Sequence, residues 1–370
     1  MTLSRRTALA LGAAALASPA LAASADPIAG WTVINALGGL NDPNHPDAKG
    51  VTPRMLADAH ASGQTAVNIT LPYVFGPGDP YQETLKGIAQ GDADIAAHPK
   101  DLLKILTVAD IARAKAEKKI GLIWGFQNCA MVGQDAHRVD QFAKAGVRVF
   151  QLTYNNENQL GGGSMADEHL GLTPFGREVV DRINANRCMV DLSHSGRQIC
   201  LDAARTSKQP ISINHTGCRA LTDLPRNKTD EELRLVADKG GFVGIYFMPF
   251  LNLSGHASAA DVVAHIEHAL KVCGEDHVGI GTDGGTTQID DLEAYKAALT
   301  KEHEDRVKAG ISAPGERADT HPFVDDLRGP DQFRKLARLL GQRGHKPARI
   351  EKILGGNFVR YARDIWGASA

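Results

Sequence analysis

Three side chains in this 370-residue chain have the types and settings that bind metal ions and move protons. They are His194 in MVDLSHSG, His215 in PISINHT and Asp283 in HVGIGTDGG, each at the end of a short apolar run and before a turn of small residues. Imidazole nitrogens and a carboxylate oxygen suit zinc or another borderline divalent ion. A lone histidine at a strand end is more often a core residue. Two at matched positions, with an aspartate before Gly284 and Gly285, read instead as the metal ligands His194, His215 and Asp283. The stretch HTGCRALTDLPRN (215–227) adds Arg219 and Arg226, whose planar guanidiniums suit bidentate capture of a carboxylate; a surface position is the commoner reading for any one arginine, and closeness to His215 makes the two readings about even for Arg226.

Such residues need a scaffold that brings them together. Short β-branched runs recur along the chain at 32–37, 65–72, 119–128, 146–155, 187–194, 210–216, 241–247 and 277–285. Between most of them lie amphipathic segments with apolar residues at three- and four-residue spacing, such as 107–119, 175–186 and 257–274. Eight such alternations predict an α/β fold, a single-domain (β/α)8 TIM-type barrel with loop insertions at 73–101 and 286–329. In that fold the carboxyl ends of the strands build the active site. Gln127, Asn128, Tyr154 and Asn155 then join His194, His215 and Asp283 at one mouth. His265 and His268, three apart on a helical segment with an apolar stripe, read as a solvated helix face.

The chain opens with Arg5 and Arg6, an apolar run and Ala20-Leu21-Ala22, which reads as a cleaved twin-arginine export signal over 1–25. The barrel domain is expected over 26–370, and the periplasm is the expected compartment. With 41 basic and 43 acidic residues the charge is balanced, so nucleic acid and anionic membrane are not expected partners. No later run is long enough to span a membrane. Five scattered cysteines without a CxxC pair read as buried apolar residues.

Taken together, GVRVFQLTYNNEN, GLTPFGREVVDRIN, MVDLSHSG, ISINHTGCRALTDLPRN, GGFVGI, HVGIGTDGG and IEKILGGNFVRYAR resemble, in order, the membrane (renal) dipeptidase family of zinc peptidases. The resemblance implies a barrel with a two-zinc site that hydrolyses dipeptides, in chains that commonly pair as homodimers. It places His194 and His215 on the histidines of one zinc, Asp283 on the aspartate that binds the other zinc and handles the proton, and Arg226 on the arginine that receives the substrate carboxylate. Three positions depart from the family's pattern. Leu37 and Gly39 stand where a His-x-Asp pair supplies two ligands, Gln127 stands where a glutamate bridges both ions, and Tyr154 replaces a histidine that helps bind the transition state. These departures mark a bacterial subgroup. A neutral amide cannot replace the charge of a bridging carboxylate, so one zinc is expected in place of two. Asp42 and His45, in GLNDPNHPD (39–47), are candidates for the missing ligands or simply an Asx-rich turn.

The expected activity is metal-dependent hydrolysis of a dipeptide or similar short amide. Asp283 and Tyr154 are the catalytic candidates, and Arg226 and Gln127 the substrate-binding ones. Two other readings stay open: a periplasmic tailoring enzyme that moves protons on an amino-acid-derived compound with one metal or none, and a binding protein without turnover.

Overall fold

The computed structural model describes residues 26–367, so the export signal read over 1–25 lies outside the described residues. Nine parallel strands form one sheet: β1 Ile34–Gly38, β2 Ala66–Thr70, β3 Leu102–Lys104, β4 Ile120–Phe126, β5 Val147–Gln151, β6 Met189–Asp191, β7 Ser212–Thr216, β8 Phe242–Ile245 and β9 Val278–Ile280. Eight of them run in the order β1-β2-β4-β5-β6-β7-β8-β9, and β3 pairs with β4 off that path. The eight runs expected from the sequence are therefore the barrel staves, and β3 is an addition directly after the region 73–101 read as an insertion. The insertion itself carries an 18-residue helix, Pro80–Ala97, capped by Asp79, whose side chain accepts from the amides of Tyr81 and Gln82.

Strands of a parallel barrel are covered on both faces, which is why β4, IGLIWGF, is apolar or glycine throughout and wholly buried. The helices between the strands start where side chains satisfy their first amides. Thr52, Thr107, Thr229 and Ser258 each form a capping box. Outside the barrel, the helix Asn357–Trp366 packs Phe358 and Tyr361 against Phe242. All five cysteines are buried and unpaired. Among the described residues no helix is long and apolar enough to cross a membrane.

The barrel closes through polar groups. Asn35 on β1 donates from Nδ2 to Thr282 Oγ1 at 2.8 Å and accepts the Thr282 amide at 2.8 Å, both side chains being buried. The amide of Asp283 donates to Leu37 O at 2.9 Å and that of Gly39 to Gly284 O at 3.3 Å. Inside the barrel the backbones approach closely at glycines. A Cβ at Gly244 or at Gly281 would stand 2.0 Å from the Asn214 carbonyl oxygen, which belongs to a strand that cannot retreat. Gly244→Ala should therefore destabilise by about 3 kcal/mol. Gly341→Ala, on an exposed helix position with open space around it, should add roughly 0.5–1 kcal/mol. Thermal melts of the two variants check this contrast, and equal melting temperatures would contradict it.

Candidate active site

The two histidines are held together from below by one buried carboxylate. Asp191 Oδ1, at the end of β6, accepts from the amide of Ser193 at 3.0 Å, from the Ser193 hydroxyl, and from the amide of Asn214 on β7 at 3.0 Å. Ser193 Oγ in turn accepts the amide of His215 at 3.0 Å. This clamp ties the β6 end, which carries His194, to the strand that carries His215, and the two rings lie 5.0 Å apart between centroids. Beneath it, the ammonium of buried Lys228 donates to the Ser195 carbonyl and lies 3.6 Å from Glu232.

The tautomer of His194 follows from its neighbours. Asn155 Nδ2 donates to Ile311 O at 3.0 Å and Ser164 Oγ donates to Asn155 Oδ1, so that oxygen is an acceptor. His194 Nδ1 lies 2.7 Å from it and carries the proton. Nε2 is left as an acceptor, and Arg226 Nη2 donates to it at 3.0 Å while Nη1 donates to Ser193 O at 2.8 Å. Arg226 is 2% exposed and pairs with no carboxylate. Burial, reinforced by the Arg226 charge, pushes the pKa of both imidazoles well below the usual histidine value, so both are neutral.

His215 is the unusual member. Both its ring nitrogens are buried without a hydrogen-bond partner, and Nε2 lies 4.0 Å from Asp283 Oδ2. Asp283 has a left-handed backbone, φ 59°, a conformation aspartate tolerates better than most residues. Burial raises its carboxyl to about 6, against the pull of Arg226 and a hydrogen bond from the Gln127 side chain, although 21% of its side chain still meets the cleft. Tyr154 stacks on His194, 4.2 Å between centroids and 23° between planes, and Phe75 covers its other face at 5.7 Å. Burial raises the Tyr154 phenol, which stays protonated. Tyr154, His194, Arg226, Asp283, Glu302 and Arg306 face one cleft of about 200 Å³.

The chain matches the family model described as membrane dipeptidase, peptidase family M19, over residues 51–309. It belongs to that family. Its similarity to an uncharacterized protein in the pqqA 5′ region of Klebsiella pneumoniae is 26% identity over 301 residues, 78% of this chain and 98% of that protein. An uncharacterized dipeptidase of Schizosaccharomyces pombe is 30% identical over 215 residues, 54% of this chain and 51% of that protein. Among solved structures, an amidohydrolase from Pseudomonas aeruginosa is 30% identical, with TM-score 0.78, covering 93% of this chain and 99% of that one. A metallopeptidase from Rhodobacter sphaeroides, liganded with a phosphinate mimic of the dipeptide L-Ala-D-Ala, shares the fold at 19% identity, TM-score 0.72, with 91% and 99% covered. By membership this M19 chain is a metal-dependent hydrolase of dipeptides or similar short amides.

The residues present do not fit two ions. Leu37 is buried and apolar, Gly39 has no side chain, and the Gln127 amide donates to Asp283 in place of bridging charge. They do fit one. Two neutral imidazoles and a carboxylate are the right donors, and the unpartnered nitrogens of His215 are what a ligand position leaves when no ion is included. As they stand, no three His, Cys, Asp or Glu side chains among the described residues are close enough to hold it. The 4.0 Å from His215 to Asp283 exceeds the about 3.4 Å between neighbouring donors of a tetrahedral zinc, and Arg226 competes for His194 Nε2.

Of the residues singled out in the sequence, His194, His215, Asp283, Arg226, Gln127 and Tyr154 all converge here. Asp42 and His45 do not: Asp42 accepts locally from Asn44 and His45 in an Asx turn away from the cleft. Arg219 pairs with Asp223 and Glu168 at the surface. Sequence reading missed Asp191, signalled only as a charge inside an apolar run, and Arg306, which reaches the cleft from the second insertion.

It also misplaced His265, which is 1% exposed and not solvated. Its Nδ1 accepts the Cys218 amide at 2.9 Å and its Nε2 donates to Leu251 O at 3.0 Å, which anchors the loop that carries Arg226. Burial lowers its pKa to about 4. Between 6.5 and 4 the unfolded chain then binds more protons than the folded one, so this contribution is complete above 6.5 and is lost as pH falls toward 4. The loss is on the order of 3 kcal/mol. His265→Gln can keep both hydrogen bonds without titrating. It should show a smaller drop in melting temperature between pH 7 and pH 5 than the parent, and an unchanged drop would refute this role.

Proposed function

We propose that the cleft hydrolyses a dipeptide, or a short amide with a free carboxylate, using one zinc ion held by His194, His215 and Asp283. The observation that carries this reading is a pair of neutral buried imidazoles, one with both nitrogens unpartnered and 4.0 Å from Asp283, behind a cleft that His194, Asp283 and an arginine without a carboxylate partner among the described residues all face. Arg226 binds the terminal carboxylate, since an arginine buried without an anionic partner calls for one from the ligand. His194, His215 and Asp283 would hold the zinc, which would there supply a water of lowered pKa and polarise the carbonyl. Asp283, at the mouth beside His215, takes the proton of the attacking water and passes it to the leaving amine. Tyr154, kept protonated, offers its hydroxyl to the developing oxyanion. Gln127 holds Asp283 in place and Asn155 holds His194 in one tautomer. The periplasm is the proposed site of action, supported by the twin-arginine pattern at Arg5 and Arg6.

The test is a dipeptide panel with zinc supplied, together with metal analysis of protein from its native compartment. Release of amino acids that a chelator abolishes, with one equivalent of metal per chain, is the expected result. Failure to cleave any member of the panel would sink the hydrolase, and two equivalents would sink the single-ion site. Asp283→Asn should lower kcat by about 10²–10⁴-fold. Arg226→Met should act mainly on KM, raising it by about 10–100-fold through loss of a charge-assisted hydrogen bond.

A further inference from the structure

Asp283 lines a second cavity besides the cleft. Its volume is about 400 Å³ and it is lined in part by Gly38, Gly39, Asn41, Asp94, Gln127 and Asp283. It lies at the carboxyl end of β1, where Leu37 and Gly39 stand in place of charged ligands. No lysine, arginine or histidine lines it. The polar side chains there are rich in acceptors. Asp94 forms no ion pair among the described residues and receives one hydrogen bond, from Gln90 Nε2 at 2.9 Å. The Gln127 carboxamide also lines the cavity, and its oxygen is free to accept.

We infer that this cavity is the subsite for the substrate's ammonium group. The inference rests on the reading above, in which Arg226 takes the carboxylate, and it assigns the opposite end of the same molecule. An anionic group here would meet two carboxylates and no cation. An apolar group would find Leu40, Val51, Ile69 and Leu122 on part of the wall but would strip water from Asp94 and the Gln127 carbonyl without replacing it. An ammonium, with three donors and a positive charge, satisfies both. The substrate's own cation then supplies positive charge at the place where the first-strand ligands have been lost, and Asp283 stands between the two ends of the bound molecule.

Gly39 offers the test. A Cβ there meets only Asn41 Oδ1, at 3.4 Å, whereas one at Gly38 would run into Asn35 and the Gly284 carbonyl. Gly39→Lys puts a protein ammonium into the cavity, and Gly39→Met controls for size. The ligands are Ala-Ala and N-propionylalanine, which has hydrogen in place of the ammonium. KM is measured for a ligand that is cleaved and a calorimetric dissociation constant for one that is not. The parent should bind Ala-Ala at least about 10-fold more tightly than N-propionylalanine. Gly39→Lys should weaken Ala-Ala by a similar factor and N-propionylalanine by less than about 3-fold, while Gly39→Met should treat both ligands alike. Equal affinity of the parent for the two ligands, no binding of either, or equal losses in Gly39→Lys would overturn the subsite. Absence of Ala-Ala cleavage with zinc supplied, at an intact preference in binding, would instead overturn the hydrolase and leave the subsite standing.

Discussion

The seam between β1 and the turn after β9 is the constraint on which the site depends. Asn35 and Thr282 exchange two buried hydrogen bonds across 247 residues of sequence, and Gly38 lies against Gly284. A parallel barrel has to join its first and last strands, and here the joint is made by polar groups whose loss would leave unsatisfied donors and acceptors inside the protein. The residue after Thr282 is Asp283. Its left-handed backbone and its hydrogen bond to Leu37 O follow from the closure, so the geometry that shuts the barrel also aims the carboxyl at His215.

A second layer of polar groups under the mouth does comparable work. Asp191 and Ser193 join the two strands that carry the imidazoles, and Asn155 selects the His194 tautomer. Buried networks of this kind specify one arrangement because every alternative strands a polar atom in a medium that cannot solvate it. Within that network both His215 ring nitrogens are unpartnered, as are Asp191 Oδ2 and the Asn214 carboxamide.

Leu37, Gly39 and Gln127 put no charge at the ends of β1 and β4. Less negative charge at the mouth suits a smaller positive charge to be held there. The space beside Gly39 is open and acceptor-rich, and the insertion helix Leu292–Lys308 brings Arg306 over Tyr154, held by Glu316 at 2.9 Å and 3.1 Å. Both features bear on which molecule fits the mouth, on a fold held in common with the solved relatives.

By itself the sequence determined the eight-stave barrel, because apolar runs and amphipathic spacing report which faces must be buried. It also placed His194, His215 and Asp283 at strand ends, since position along a stave decides which end of the barrel a side chain occupies. The tertiary structure decided what each one faces. That Asn155 Oδ1 holds the His194 proton on Nδ1, that Arg226 turns toward Nε2, and that His265 is an internal anchor all depend on partners more than thirty residues away in sequence. A helical stripe read from apolar residues alone could not reveal that a loop packs over His265 and removes its water. Protonation states and ligand roles follow from such partners because they are set by local field and hydrogen bonding, and these exist only once the chain has folded.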